Sequence, residues 1–201
     1  MRKLLKGALS RIKNKEGSIT LPTLMIAGAV FLAGMFFMVE MPLKLIMANE
    51  MVDTVNNAAA SGVTQIAEER IRYGELRIDE VRAEEAVYDV FKRTYNLDHN
   101  LNPIEPETED GVANKLSSVN EIDVQVANKP LYASDTWTHT FKVPQTEEEI
   151  KAGHKEIEIT VKESSVFVYA NMTFKRPIRA GDSRLTLQRY AISEVSFPDY
   201  E

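Results

Sequence analysis

The spacing of hydrophobic positions changes along this chain, and each spacing predicts a different element. An uninterrupted apolar block of 21 residues without a charge runs from Ile19 to Val39. Apolar and small residues then recur every three to four positions up to about Tyr73, the period of an amphipathic helix. After about Asn120 the period becomes two, which is typical of half-buried strands. The pattern predicts an α+β protein. An N-terminal transmembrane helix continues into a long amphipathic helix, and a second, separate helix then packs on an antiparallel sheet.

The apolar block has the length and composition of a transmembrane helix. At about 1.5 Å per residue it covers the roughly 30 Å of a bilayer's hydrocarbon core. The preceding segment holds six basic residues and only one acid, Glu16. Because lysine and arginine favour the cytoplasmic side, residues 1–17 are predicted to be cytoplasmic, residues 18–40 to span the membrane, and the rest to be extracytoplasmic. The six basic residues are Arg2, Lys3, Lys6, Arg11, Lys13 and Lys15.

A cleaved secretory signal peptide is an alternative interpretation of the same block. Signal peptides have apolar regions of roughly 7 to 15 residues, which is shorter than the block here. The nearest plausible cleavage site ends at Ala48, beyond the charged residues Glu40 and Lys44. The length and the position of that site favour a retained membrane helix.

Residues 41–75 are predicted to continue as an extended helix rich in small residues. One stripe of this helix consists of Ala48, Val52, Val55, Ala59, Gly62 and Ile66. Small side chains let another helix approach closely, so we expect a helix-packing face for a partner subunit. The alternative is that the stripe packs on the protein's own domain. Pro42 is expected to kink or divide the helix, because it lacks a backbone N–H.

Residues 76–201 are predicted to form one extracytoplasmic α+β domain. Asp79 can cap a helix that runs to about Asn96, and residues 97–111 are predicted to be an exposed loop. Alternating residues predict strands around 122–126, 137–143, 157–161, 166–174 and 185–197, with a turn at residues 179–182. We expect one antiparallel sheet packed on the helix.

Charge and residue types exclude several functions. Residues 17–201 contain 18 basic and 29 acidic residues, a formal charge of −11, so nucleic acid is not expected as a partner. The chain has no cysteine, and its three histidines do not have metal-ligand spacing. Nucleophile and phosphate-loop motifs are missing. We therefore expect no catalytic residue, no metal, no cofactor and no enzymatic activity.

One acidic stretch comes close to a calcium-binding loop. Asp98, Asn100, Asn102 and Glu109 stand at ligand positions, but the sixth position is Pro103, where a glycine must turn sharply. A helix-loop-helix calcium site is therefore not expected. An irregular calcium site in residues 98–110 is left open.

The junction before the apolar block resembles a type IV prepilin leader. A basic segment ends in Lys15-Glu16-Gly17, and Ser18 begins the apolar helix. The resemblance implies that a prepilin peptidase cuts after Gly17 and leaves Ser18 as the new N-terminus. Most family members have a glutamate at the fifth mature position, where this chain has Pro22. That departure favours a minor or initiating subunit over a major, self-polymerising pilin.

The next segment resembles TadE-like proteins, the pilin-like subunits of tight-adherence pilus systems. Residues Asn57, Ala58, Ala59 and Gly62 match an Asn-Ala-Ala-x-x-Gly-Ala type pattern, and Val63 stands in place of the usual alanine. Together with the junction, the resemblance covers roughly residues 10–105.

The resemblance implies a non-catalytic structural subunit of a pilus or pseudopilus, with a pilin-like fold, in the cell membrane or a surface filament. Its expected partners are other pilin-like subunits, a prepilin peptidase, an assembly ATPase with its platform proteins, and membrane lipid. The alternative is an uncleaved single-pass membrane protein whose extracytoplasmic domain binds a partner. Cleavage after Gly17 distinguishes the two.

Overall fold

The computed structural model describes residues 17–71, 76–104, 116–133, 136–175 and 184–195. Several sequence predictions lie outside these residues: the basic leader, the acidic loop around Glu109, the turn at 179–182 and the end of the last strand at Phe197. Within the described residues the chain is α+β, with helices and antiparallel sheets, as the pattern predicts. The chain divides into two compact units between Ile46 and Met47.

Helix α1 runs from Gly17 to Val63 and provides all the described residues of the first unit. Both Pro22 and Pro42 lie inside it. Pro42 therefore does not end the helix, although its missing N–H removes one backbone hydrogen bond. One turn of this segment carries an ion pair, in which Lys44 Nζ lies 2.9 Å from Glu40 Oε1.

The second unit begins with the last part of α1, which ends earlier than predicted. The expected helix over 41–75 stops at Val63, because the backbone after it pairs with the residues just before the helix that begins at Glu80. The Asp79 N–H donates to the Gln65 carbonyl at 2.8 Å, a bond that a continuing helix could not make. A short helix α2 (Glu68–Ile71) follows.

Helix α3 (Glu80–Tyr95) confirms the predicted capped helix. The Asp79 carboxylate accepts a hydrogen bond from the Arg82 N–H at 3.1 Å, which satisfies one free amide of the first turn. At the other end Asn96 adopts a left-handed conformation with φ 50°, and its N–H donates to the Lys92 carbonyl. Both ends are therefore fixed by local chemistry.

The strands form two antiparallel sheets, whereas one sheet was predicted. The larger sheet has the order β1-β4-β5, and the smaller pairs β2 with β3 around a short helix α4. The bounds are β1 Leu116–Ala127, β2 His139–Lys142, α4 Glu147–Lys151, β3 Glu158–Val161, β4 Ser165–Lys175 and β5 Arg184–Glu194.

Strand β4 explains why a second sheet is present. Its even-numbered residues from Val166 to Phe174 are buried in a core with α1 and α3, where Tyr95 and Phe174 meet edge to face at 6.0 Å between ring centroids. The residues Phe167 and Tyr169 point to the opposite face and pack against the smaller sheet. A strand that is apolar on both faces needs a covering layer on each side.

Candidate membrane anchor and helix-packing face

The first part of α1 exposes apolar side chains. Leu24 is 74% exposed, Phe31 65% and Met38 79%. Among the described residues one helix is long and apolar enough to cross a membrane, and no residue in its most apolar stretch is buried. Length and composition therefore permit a membrane span, although a signal sequence near the N-terminus meets the same two criteria.

The predicted processing site lies at the beginning of the described part of this helix. Gly17 and Ser18 are the first two residues of α1, and residues 1–16 lie outside the described part of the chain.

The predicted packing stripe lies partly inside the protein's own domain. Val55 is 0% and Ala59 1% exposed, and Gly62 is also buried. Ala48 and Ile66 are half-buried, and Val52 is 37% exposed. Ile66 lies beyond the end of the helix, where it forms a bridge with Ile78. The middle of the stripe therefore follows the alternative interpretation, in which it packs on the protein's own domain.

Sequence reasoning missed the other half of the buried face. Met47, Met51 and Ala58 are buried in the same core cluster as Val55 and Ala59. The buried positions 47, 51, 55 and 59 are spaced by four, so they lie along one ridge of the helix. The ridge begins with Met47 and Met51, each one position before a residue of the predicted stripe, Ala48 and Val52 respectively.

At Gly62, α1 packs closely on both α3 and β4. A Cβ atom at this position would lie 3.1 Å from Val166 Cγ1 on β4 and 3.1 Å from Val87 Cγ2 on α3. The Ala83 carbonyl oxygen would be 3.5 Å away. Because carbon atoms pack best at about 3.5 to 4.0 Å, only a residue without a side chain fits here without displacement.

A tyrosine from α3 points its hydroxyl towards the same helix. Tyr95 is 1% exposed, and its hydroxyl makes no hydrogen bond within the described residues. Burial raises the pKa of Tyr95 to about 12, although the nearby Thr54 hydroxyl acts in the opposite direction. Thr54 itself donates its hydroxyl to the Glu50 carbonyl at 2.8 Å. The tyrosine ring therefore fills the core while its polar end is poorly satisfied.

Three of the residues considered for calcium, Asp98, Asn100 and Asn102, form a local hydrogen-bond network. Asp98 Oδ1 accepts hydrogen bonds from the N–H groups of Asn100 and Asn102, both at 2.8 Å. These bonds, with that from Asn102 the strongest, hold the pKa of the Asp98 carboxyl below its usual value. Within the described ranges no three acidic or histidine side chains are grouped so that they could hold a metal. Glu109 lies outside those ranges.

Comparison of the chain with protein-family models, with curated proteins and with solved structures gives no match. The resemblance to prepilins and TadE-like proteins therefore depends on the residues around Gly17 and on the segment from Asn49 to Ile66. Among the features that support this resemblance, the structure contains the helix that is long and apolar enough to cross a membrane.

Proposed function

We propose that this protein is a non-catalytic, single-pass membrane subunit of a pilin-like assembly of the TadE type. Residues 1–17 form a cytoplasmic leader, a prepilin peptidase cuts after Gly17, and Ser18 becomes the N-terminus. Residues 18–40 lie in the membrane and residues 76–201 lie outside the cell. Other pilin-like subunits, an assembly ATPase and its platform proteins act on the processed chain.

The observation that carries this proposal is the difference in burial between the two parts of α1. Residues 22–46 expose apolar side chains such as Leu24 and Phe31, which need lipid or other helices as a covering. Residues 47–63 are built into the domain core through Met51, Val55 and Gly62. In the proposed assembly, residues 22–46 of α1 move from lipid into a bundle with the helices of other subunits. The domain moves with them, because residues 47–63 of the same helix belong to its core.

The processing step is tested by a bulky substitution at the cleavage site. Gly17→Leu, expressed in cells with their own secretion genes, should accumulate as the full-length precursor and fail to enter a surface fraction. Gly7→Leu is the matched control, because it changes another glycine of the leader, ten residues away, and should be processed normally. Normal maturation of Gly17→Leu would contradict the proposed prepilin processing.

A second function is favoured by one observation on the folded domain. A groove beside strand β5 is lined by both apolar and charged side chains, including Ile157, Tyr190 and Lys155. Such a groove supports an anchored domain that binds a partner, with or without removal of the leader. An intact Met1 on the protein in its native membrane would favour this function over the pilin-like one.

A further inference from the structure

Strand β5 is a long edge strand whose second edge has no partner strand in the described part of the chain. It pairs with β4 over its full length from Arg184 to Glu194 without a register shift. It contains no proline. Alternate residues of an edge strand direct their N–H and C=O groups away from the sheet, where another strand can bind them. A regular edge of 11 residues is therefore a ready template for an added strand.

A groove of about 370 Å³ lies beside the middle of β5. Residues 186–190 of β5 and Tyr169 of β4 form one wall, and the segment 143–157, which connects β2 to β3, supplies the other. Its apolar lining includes Val143, Ile157 and Tyr190, and the last two are 48% and 43% exposed. The unpaired strand edge therefore has an apolar surface beside it that could receive the side chains of a second strand.

The charges that face the groove are predominantly positive. Lys155 makes no ion pair within the described residues. Arg189 donates Nη1 to the Gln188 carbonyl at 2.7 Å and keeps further N–H groups for a ligand. Glu149 is the acid in the lining, and both the N–H and the hydroxyl of Thr146 donate to its Oε2 at 2.9 Å. These bonds lower the pKa of Glu149, so its negative charge is held within the turn.

Two other acids of the connecting segment, Glu147 and Glu156, are paired outside the groove. Glu147 Oε2 lies 3.1 Å from Lys151 Nζ, and Glu156 Oε2 lies 3.0 Å from Lys142 Nζ. The formal net charge of the whole chain is −6, so a groove with free cations contrasts with the rest of the chain. Charge complementarity therefore favours a ligand that carries carboxylates.

The other strands of a second copy are poor sources for the added strand, and pairing of β5 with its own copy would bring the like charges of Lys155 and Arg189 from two grooves together. The other long edge, β1, has two register shifts, at residues 116–118 and 119–121. Such irregularities interrupt the even spacing of N–H and C=O groups that pairing with β5 requires. The strands β2 and β3 have only four residues each.

We propose that the β5 groove binds an extended acidic segment of another protein, which adds as a strand to the edge at residues 186–190. Main-chain hydrogen bonds to β5 supply the affinity, and the positive charges of Lys155 and Arg189 favour carboxylates on the segment. The inference is independent of cleavage after Gly17, because the groove lies wholly within the second unit.

The test is a fluorescence-anisotropy titration of the full chain in detergent micelles. The probe is a fluorescein-labelled octapeptide that alternates glutamate and valine, with empty micelles as the blank. Lys155→Glu should weaken binding by about tenfold or more, the value of one charge-assisted hydrogen bond. Lys151→Glu is the matched control, because Lys151 is on the same connecting segment but outside the groove, and it should bind the peptide like the original chain.

Two further peptides separate strand addition from simple charge attraction. The same octapeptide with N-methyl groups on alternate backbone nitrogens cannot donate to β5 on that edge, and it should lose binding although its charge is unchanged. An octapeptide with lysine in place of glutamate should also fail to bind. Equal binding of the N-methylated or the lysine peptide, or no binding of the glutamate peptide, would overturn the proposal. Self-association of the protein that the glutamate peptide dissociates would assign the groove to a second copy and likewise overturn it.

Discussion

Substitution of Gly62 tests the packing of α1 most sharply. An alanine Cβ would lie 3.1 Å from a methyl group of Val87 on α3 and 3.1 Å from a methyl group of Val166 on β4. Neither methyl belongs to the end of a long flexible side chain, so α1 or its neighbours must move. The substitution therefore measures whether this part of α1 belongs to the domain core.

The expected magnitude follows from two opposing effects. Overpacking of a core costs about 2 kcal/mol, whereas replacing glycine by alanine within a helix gains about 1 kcal/mol. Gly62→Ala should therefore lower the free energy of unfolding by about 1 kcal/mol. Gly62→Leu adds three more carbon atoms to the same space and should cost about 3 kcal/mol.

Urea denaturation of the full chain in mild detergent measures these changes. Trp137 is the sole tryptophan and packs against the core between the two sheets, so its fluorescence reports unfolding of the domain. With a slope of about 2 kcal/mol per molar urea, the midpoint should fall by about 0.5 M for Gly62→Ala and about 1.5 M for Gly62→Leu. Gly34→Ala is the matched control, because a Cβ there meets no atom within 4 Å, so there is no overpacking cost and the midpoint should not fall.

A double variant identifies the contact itself. Val87→Ala removes one of the two methyl groups that crowd position 62, so Gly62→Ala should cost less in the Val87→Ala background than alone. If Gly62→Leu unfolds at the same urea concentration as the original chain, α1 does not pack between β4 and α3, and the reasoning is refuted.

Three further predictions concern the second unit. Tyr95→Phe should keep or raise the urea midpoint, because within the described residues the buried hydroxyl makes no hydrogen bond that the substitution would remove, and a clear drop would contradict this. Asn128→Ala should lower the free energy of unfolding by about 1 to 3 kcal/mol and speed hydrogen exchange at Ile78, whose N–H donates to Asn128 Oδ1 at 2.7 Å; unchanged exchange would contradict this. The Asp98 carboxyl should titrate below its ordinary pKa of 3.8 in NMR spectra. Its lowered pKa means that its contribution to stability is present above pH 3.8 and disappears as the pH falls through the folded-state pKa; titration at or above 3.8 would contradict this.

Elements that depend on local chemistry could be predicted from the sequence. Helix α3 was predicted with its cap because Asp79 and Asn96 act on neighbouring backbone groups, independently of the rest of the fold. The apolar segment of α1 was also predicted, since its length and composition are sufficient for the inference. The end of α1 at Val63 was not predicted, because it depends on pairing with residues near Asp79, more than a dozen positions away.

Features that depend on tertiary contacts escaped prediction. The small residues Ala59 and Gly62 gave the period of a packing face, but the period does not identify the surface that covers it. The division into two sheets depends on β4, whose continuous apolar run indicates burial on both faces but not the covering strands. The β5 groove joins two segments about 30 residues apart in sequence, and neither carries a motif.

The proposed function is tested most directly at the N-terminus of the mature protein. The measurement is the N-terminal sequence and intact mass of the chain, taken from the membrane or shed-surface fraction of cells that carry its own secretion genes. Processing by a prepilin peptidase predicts Ser18 as the first residue. An intact Met1 would contradict that processing and indicate an uncleaved membrane-anchored protein, and a start after Ala48 would indicate a secreted one.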